Sequence, residues 1–319
     1  HTRKSAGGPI ISLPWKRPFN AAGEVHLIKI KTVCPGQVLL EYGPICMIIG
    51  GWRRGNPMSI ELEAAAAEAV HNLGELSRVL GQARIPISRE NIESNYVCLP
   101  QPQVLSYMFQ AVRATGDLSL TPMAAVAGSI ADLSVEVLIE QGATKAFANN
   151  GGDIAVKMID DEKTEIGIIS SLATGRISHS FSLTGYDQIG GIATSGLGGR
   201  GLSKGVADAV VVLAENARLA DACATVIANE TYVDTPEVLQ VKAEILDPQT
   251  DLVGQMVTKE VYDLPSAAIQ KALRKGKESA FRMIKKGIIQ GAYIFVQGQM
   301  ITVPEFFQTK TRYLKAGHV

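Results

Sequence analysis

The segment KAFANNGGDIAVKMIDDEKTEIGIISS, residues 145–171, alternates apolar and polar residues in three short runs. The runs are broken at Asn150-Gly151-Gly152 and at Asp160-Asp161. Turns this short can join only antiparallel neighbours, because a parallel crossover needs a dozen or more residues. The same signature recurs on both sides. EVHLIKIKT from Glu24 and CPGQVLLEYGPICMIIGG, divided by Pro-Gly and Gly-Pro, read as a meander. ISHSFSLTG and GGIATSG read as further strands, and GAYIFVQGQMITV as a closing hairpin. VLQVKAEIL fits a strand, with helix as its rival.

Helical patterns interrupt these runs without alternating regularly with them. Met58–Leu80 is rich in Ala, Leu and Glu and is entered near Pro57 and Ser59. Val104–Arg113 is a second helix, after a turn-rich stretch at 81–102. A third begins at Pro122 and stops at Gly142, with small residues on its early turns that permit close approach of a neighbour. Behind the apolar strand of GVADAVVVLAEN comes a helix near Ala217–Asn229, with Asn216 as its N-cap. A basic helix holds Lys271, Arg274, Lys275, Lys277, Arg282, Lys285 and Lys286, and reads as a solvated face or an oligomer surface. Strands in hairpin runs with segregated helices favour an α+β fold over a doubly wound parallel sheet.

The chain has 319 residues, enough for one α+β unit or about two domains. The expected organisation is one unit with two lobes, 1–115 carrying the meander and helices, and 116–319 carrying the glycine-rich core. Lys plus Arg and Asp plus Glu are both 31, which argues against a nucleic-acid binder but not against one small anion in a cleft. Cys34, Cys46, Cys98 and Cys223 have no CxxC spacing and read as reduced thiols. Neither a signal-peptide run nor 18 uninterrupted apolar residues is present, so the expectation is a cytoplasmic protein with no membrane partner. A homodimer is the expected assembly, two-fold symmetry being the commonest.

Five groups of residues could carry chemistry. Asn150-Gly151-Gly152-Asp153 is a turn whose exposed backbone could hold an anion or a flat ring, with Asp153 at the start of the next strand. Its alternative is a plain hairpin with a local bond to Asp153. Thr194-Ser195-Gly196-Leu197-Gly198-Gly199-Arg200, continuing to Lys204, combines glycines, hydroxyls and two cations behind a strand. That is what a phosphate or carboxylate requires, although neither a Walker A loop nor GxGxxG is present. Asp221 and Thr225 share one helical face and could hold Mg²⁺, and Asp208 is a second acidic candidate or a buried partner for Arg200. His179 is the proton-transfer candidate, with a structural histidine as its alternative; Ser195 is the best-placed nucleophile, without a base assigned by spacing. Arg53 and Arg54 could reach an anion from the N-terminal half or form a rim.

Three passages taken together, PMAAVAGSIADLSVEVLIEQGATKAFANNGGDI at 122–154, GGIATSG at 190–196 and KGVADAVVVLAENARLADACATVIAN at 204–229, resemble the ApbE-like superfamily, named for the FAD:protein FMN transferases. The resemblance is closer to its less characterised bacterial and archaeal branch. It implies a T-fold-related arrangement of antiparallel sheets packed with helices, and a cleft around the glycine-rich loops. It also implies that Gly152-Asp153 lines a flavin pocket and that Asp221 and Thr225 bind Mg²⁺. Two departures stand out. Val126–Asp132 lacks the Lys of the transferases' GGIAKG stretch, and His179–Leu183 lacks their Asp-Pro element. The leading expectation is therefore an ApbE-like enzyme for a small anionic, cyclic or phosphorylated substrate. Asp153, His179 or Asp221 would handle protons or a metal. The alternatives are Mg²⁺-dependent FMN transfer from FAD, a metal-independent hydrolase or ring-opening enzyme using Ser195 or a water, and a flavin- or metabolite-binding protein without activity.

Overall fold

A computed structural model describes residues 27–88, 101–305 and 311–313. The chain opens with β1 (Lys29–Cys34), β2 (Gln37–Tyr42), β3 (Ile45–Arg53) and β4 (Asn56–Pro57). Helices α1 (Ile60–Arg78), α2 (Leu80–Ala83), α3 (Gln103–Thr115) and α4 (Val126–Glu140) follow, the last entered through a 3₁₀ turn at Pro122–Ala125. Next come β5 (Lys145–Asn150), β6 (Asp153–Met158), β7 (Lys163–Ser171), β8 (Arg176–Thr184), β9 (Gly191–Ser195) and β10 (Ala209–Ala214). The remainder is α5 (Ala217–Glu230), β11 (Val238–Lys242), α6 (Ala243–Leu246), β12 (Met256–Val261), α7 (Ser266–Lys285), β13 (Gly291–Val296), β14 (Gln299–Val303) and β15 (Thr311–Tyr313).

Ten strands form one sheet in the order β1-β2-β3-β5-β6-β9-β10-β13-β14, with β4 on β3. Neighbours pair antiparallel throughout. The sheet runs without a break from the N-terminal meander to the closing hairpin. A second sheet, β15-β8-β7, covers part of one face, and β11-β12 form a separate ribbon.

Period-two alternation sorts the core into two layers. On β10, Val210, Val212 and Ala214 face the helices together with Ile130, Leu138 and Ile227. Ala209, Val211 and Leu213 face the other way, against Ile166, Ile168, Phe181 and Leu183 of β7 and β8. Each large aliphatic side chain so buried contributes about 1.5–3 kcal/mol. The stretch Pro122–Glu140, 19 residues, is apolar enough to match a membrane span by length and composition, but 61% of it is buried inside the protein. Its neighbours there are α1, α3 and α5.

Helix ends follow the sequence closely. The Asn216 side chain accepts the Leu219 N–H at 3.0 Å and caps α5. The VLQVKAEIL segment divides, its first half a strand and its second a single helical turn. Arg53 Nη2 donates to Gln141 O at the C-terminus of α4, where a cation complements the helix dipole, so this side chain is engaged in helix capping. Cys34, Cys46 and Cys223 are free thiols. Cys98 and the expected strand residues Glu24–His26 lie outside the described residues.

Candidate functional site

Asp153 opens β6 directly opposite Asn150 across the β5–β6 turn, so the two side chains share a face. Alternation places that face toward the helices, since Ala155 belongs to the helix-side core. Asp153 Oδ1 accepts the Thr194 N–H of β9 at 3.2 Å. Asp221 comes down from the second turn of α5, which packs across β9 and β10. Its Oδ2 accepts the Gly128 N–H at 3.0 Å, with the Ala127 amide adding to it, at the start of α4. A carboxylate is favoured there by unpaired amides and the helix dipole.

These contacts bring the two carboxyl groups close enough to repel each other. Burial, then the Asp153 charge, push Asp221 well above the usual carboxylate range, against the opposing Gly128 and Ala127 amides. Burial likewise pushes Asp153 up to about 7, with the Thr194 N–H and then the Arg200 charge acting the other way. Asn150, 4% exposed, donates through Nδ2 to Ala127 O at 3.3 Å, and its buried Oδ1 has no hydrogen-bond partner. Asp153, Asp221 and the unpartnered Asn150 Oδ1 thus gather oxygen atoms on the helix side of the β5–β6 turn. Thr225 lies one turn beyond Asp221 on the same helix face, half-buried.

The β5–β6 turn has one closed and one open side. Gly151, at φ +70°, lies so near Arg200 that a Cβ there would sit 2.5 Å from Nη2. Gly152, at φ +112°, has nothing within 4 Å of that position. Arg200 Nη1 donates to Pro44 O at 3.0 Å, and its charge acts on both Asp153 and Cys46. Pro44 and Cys46 arrive through the β3–β5 pairing, in which Met47 lies opposite Asn150. Sequence reasoning missed both residues, and only strand register could have found them. Gly128 was signalled by the small residues opening the third helix.

The glycine-rich loop is less available to a ligand than its composition suggests. The Thr194 amide serves Asp153, Leu197 N–H bonds Ala207 O at 2.9 Å and Gly199 N–H bonds Gly196 O at 3.4 Å. The Gly152 amide likewise turns inward to Asn149 Oδ1 at 2.9 Å. Gly196 (φ +148°) and Gly198 (φ +81°) permit close contact with Ala207 and with Ala173 of the β7–β8 turn. The β9–β10 register puts Ser195 on the Asp153 side of the sheet and the Thr194 side chain on the other.

Three candidates stand apart from the carboxylate pair. The Lys204 amide bonds Asn229 Oδ1 at 2.9 Å, at the opposite end of α5, about 12 Å along the helix from Asp221. Asp208 does not pair with Arg200. Its carboxylate accepts the Gln297 and Gly298 amides and closes the β13–β14 turn. His179 lies between the two sheets, 6.1 Å from the Phe295 ring and 5.3 Å from that of Tyr313, with Nδ1 2.6 Å from Ser178 Oγ. Burial lowers its pKa, and the ten-stranded sheet separates it from Asp153.

Asp132 locks the helices that frame the site. It accepts the Ala217 and Arg218 amides at 2.9 and 3.0 Å and the Arg218 guanidinium at 2.9 Å. Beside it lies a cavity of about 100 Å³. Its cations, Lys157 and Arg218, are matched there by Asp132, Glu136 and Glu215, so its charge is already compensated. Arg200, by contrast, carries a charge that acts on Asp153.

A UPF0280 protein of Methanosarcina acetivorans is 33% identical over 162 residues, 50% of this chain and 61% of that one. That of Methanococcoides burtonii is 40% identical over 133 residues, 41% and 54% of the two chains. The chain thus spans between about half and three fifths of these curated relatives. The flavinyl transferase ApbE of Pseudomonas stutzeri superposes with a TM-score of 0.45 at 13% identity, over 89% of this chain and 97% of that one. A family model described as AbpE bacteria matches residues 31–302, most of the chain and the whole of the site just described. The chain belongs to this bacterial AbpE family, within the ApbE-like superfamily that its central passages resemble.

Proposed function

We propose that this protein is an ApbE-like enzyme that binds a divalent cation at Asp153 and Asp221 and a small phosphorylated substrate beside it. The observation that carries the reading is the meeting of Asp153, Asp221 and the unpartnered Asn150 Oδ1 around Ala127-Gly128 and the β5–β6 turn. Asp221, Asp153 and Asn150 would hold the cation, with Thr225 one turn away. Mg²⁺ suits such oxygen donors. When bound, it supplies charge neutralisation for a phosphoryl group.

The chain's own residues set the rest. Gly128 and Ala127 orient the Asp221 carboxylate, and Thr194 orients that of Asp153. The open side of the turn at Gly152 leaves room for the substrate. Arg200 supplies the positive charge for its anion. A Ser195–His179 pair is disfavoured by the register, which puts the two on opposite faces of the large sheet.

Transfer of FMN from FAD to a protein hydroxyl, with release of AMP, is the reaction of the wider superfamily to test here, against the missing Lys of Val126–Asp132 and the missing Asp-Pro of His179–Leu183. The test is mass spectrometry of the protein incubated with FAD and Mg²⁺, with AMP measured alongside. Mg²⁺-dependent AMP release matched by an FMN adduct on the protein, both lost in Asp221→Asn, supports transfer, whereas AMP with free FMN would mean hydrolysis at the same cation site. Mg²⁺-dependent binding of FAD without AMP release would keep the cation site and discard this reaction. Turnover that ignores Mg²⁺ would overturn the proposal.

A further inference from the structure

We propose that Arg200 couples the two halves of the site, competing with the cation for Asp153 and, once released from it, holding the anion of the substrate. The inference rests on the cation reading above and concerns how that site is loaded.

The guanidinium covers Gly151, one residue from Asn150 and two from Asp153, and is tethered by Nη1 to Pro44 O. Arg200 lies exposed at the mouth of the turn, packed on Gly151, and its charge acts on Asp153, so without ligands the guanidinium offsets the Asp153 charge. A divalent ion on Asp153 and Asp221 takes over that role and places like charge beside Arg200. Solvent at the exposed guanidinium screens this repulsion in part, which keeps the expected effect on cation affinity to several-fold. An anion entering by the open side at Gly152 gives the guanidinium a new partner and removes the penalty. Lys157 and Arg218 cannot substitute, because carboxylates in their own cavity compensate them, and the Lys204 backbone is fixed at the far end of α5.

This arrangement differs from a simple anion clamp and from a structural latch. A clamp leaves cation affinity unchanged when the arginine is removed. A latch lowers stability and weakens everything. Competition for Asp153 requires that removing Arg200 tighten the cation while loosening the anion.

Isothermal titration calorimetry with Mg²⁺ and inorganic phosphate, on wild type, Arg200→Gln and Arg200→Lys, separates these cases. In wild type, phosphate should tighten Mg²⁺ by about tenfold, and Mg²⁺ should tighten phosphate by the same factor. Arg200→Gln should bind Mg²⁺ alone several-fold more tightly than wild type and lose most of the coupling, whereas Arg200→Lys should retain part of it. Circular dichroism melts confirm that the variants are folded. Full coupling in Arg200→Gln, or Mg²⁺ affinity no higher than wild type, would overturn the proposal while leaving the cation site intact. Absence of Mg²⁺ binding in wild type and Arg200→Gln alike would overturn the cation reading itself.

Discussion

Asp153 illustrates how a single side chain can be stabilising in one protonation state and costly in the other. Burial raises its pKa from 3.8 to about 7. A carboxyl whose pKa rises on folding stabilises the native state below its unfolded value, and that contribution is lost as pH climbs through the folded value. Stability should therefore fall between about pH 4 and pH 7, and Asp221, raised for the same reason, acts in the same direction. Asp153→Asn keeps an oxygen for the Thr194 amide and removes the charge. It should melt at a higher temperature than wild type near about pH 8, with a flatter melting profile from about pH 5 upward. A variant less stable than wild type at the alkaline end would show that Asp153 is not under this electrostatic load. The sequence already marked Asp153, Asn150 and Asp221 as interesting, because carboxylates beside glycine turns and on small-residue helices are chemically conspicuous. It did not reveal that Asn150 Oδ1 lacks a partner, since that depends on where Ala127 lies.

The helices meet through two residues whose replacement should have distinct effects. Gly128 packs against the backbone of α5 so tightly that a Cβ would fall 2.4 Å from Ala217 O. Gly128→Ala must separate α4 from α5, which should cost about 2 kcal/mol or more and move the amides that orient Asp221. Asp132 caps α5 and pairs with Arg218, so Asp132→Ala leaves two amides unsatisfied and the largely buried guanidinium with only the longer Glu136 contact at 3.8 Å as its ion pair. A loss of about 3 kcal/mol in urea unfolding is expected, with cation binding largely preserved. Equal stability of Gly128→Ala and wild type would contradict the packing account. At this scale the sequence was most legible where a pattern is local: Asn216 as a cap, the hairpin over 145–158, and the small-residue start of α4. The basic residues of α7 and the Arg53-Arg54 pair were ambiguous, because a cation alone does not say which carbonyl or carboxylate it will meet.

Across the whole molecule, one antiparallel sheet of ten strands carries the site at the end where β3, β5, β6 and β9 lie side by side. Hairpin spacing forecast an α+β fold, since each short turn dictates the direction of its neighbour. Pairings between strands distant in sequence were not legible. The β3–β5 ladder brings Pro44 and Cys46 to Arg200, and the sheet's two faces separate His179 from Asp153. The two readings of Asp208 stayed open for the same reason: the partners it takes, Gln297 and Gly298, lie about ninety residues away. The central claim is that Asp153 and Asp221 share one cation. Titration of Mg²⁺ into the wild type and the Asp153→Asn/Asp221→Asn double variant tests it most directly. One ion per chain in the wild type and none in the double variant is the expected result. Equal binding by both proteins, or none by the wild type, would contradict the account.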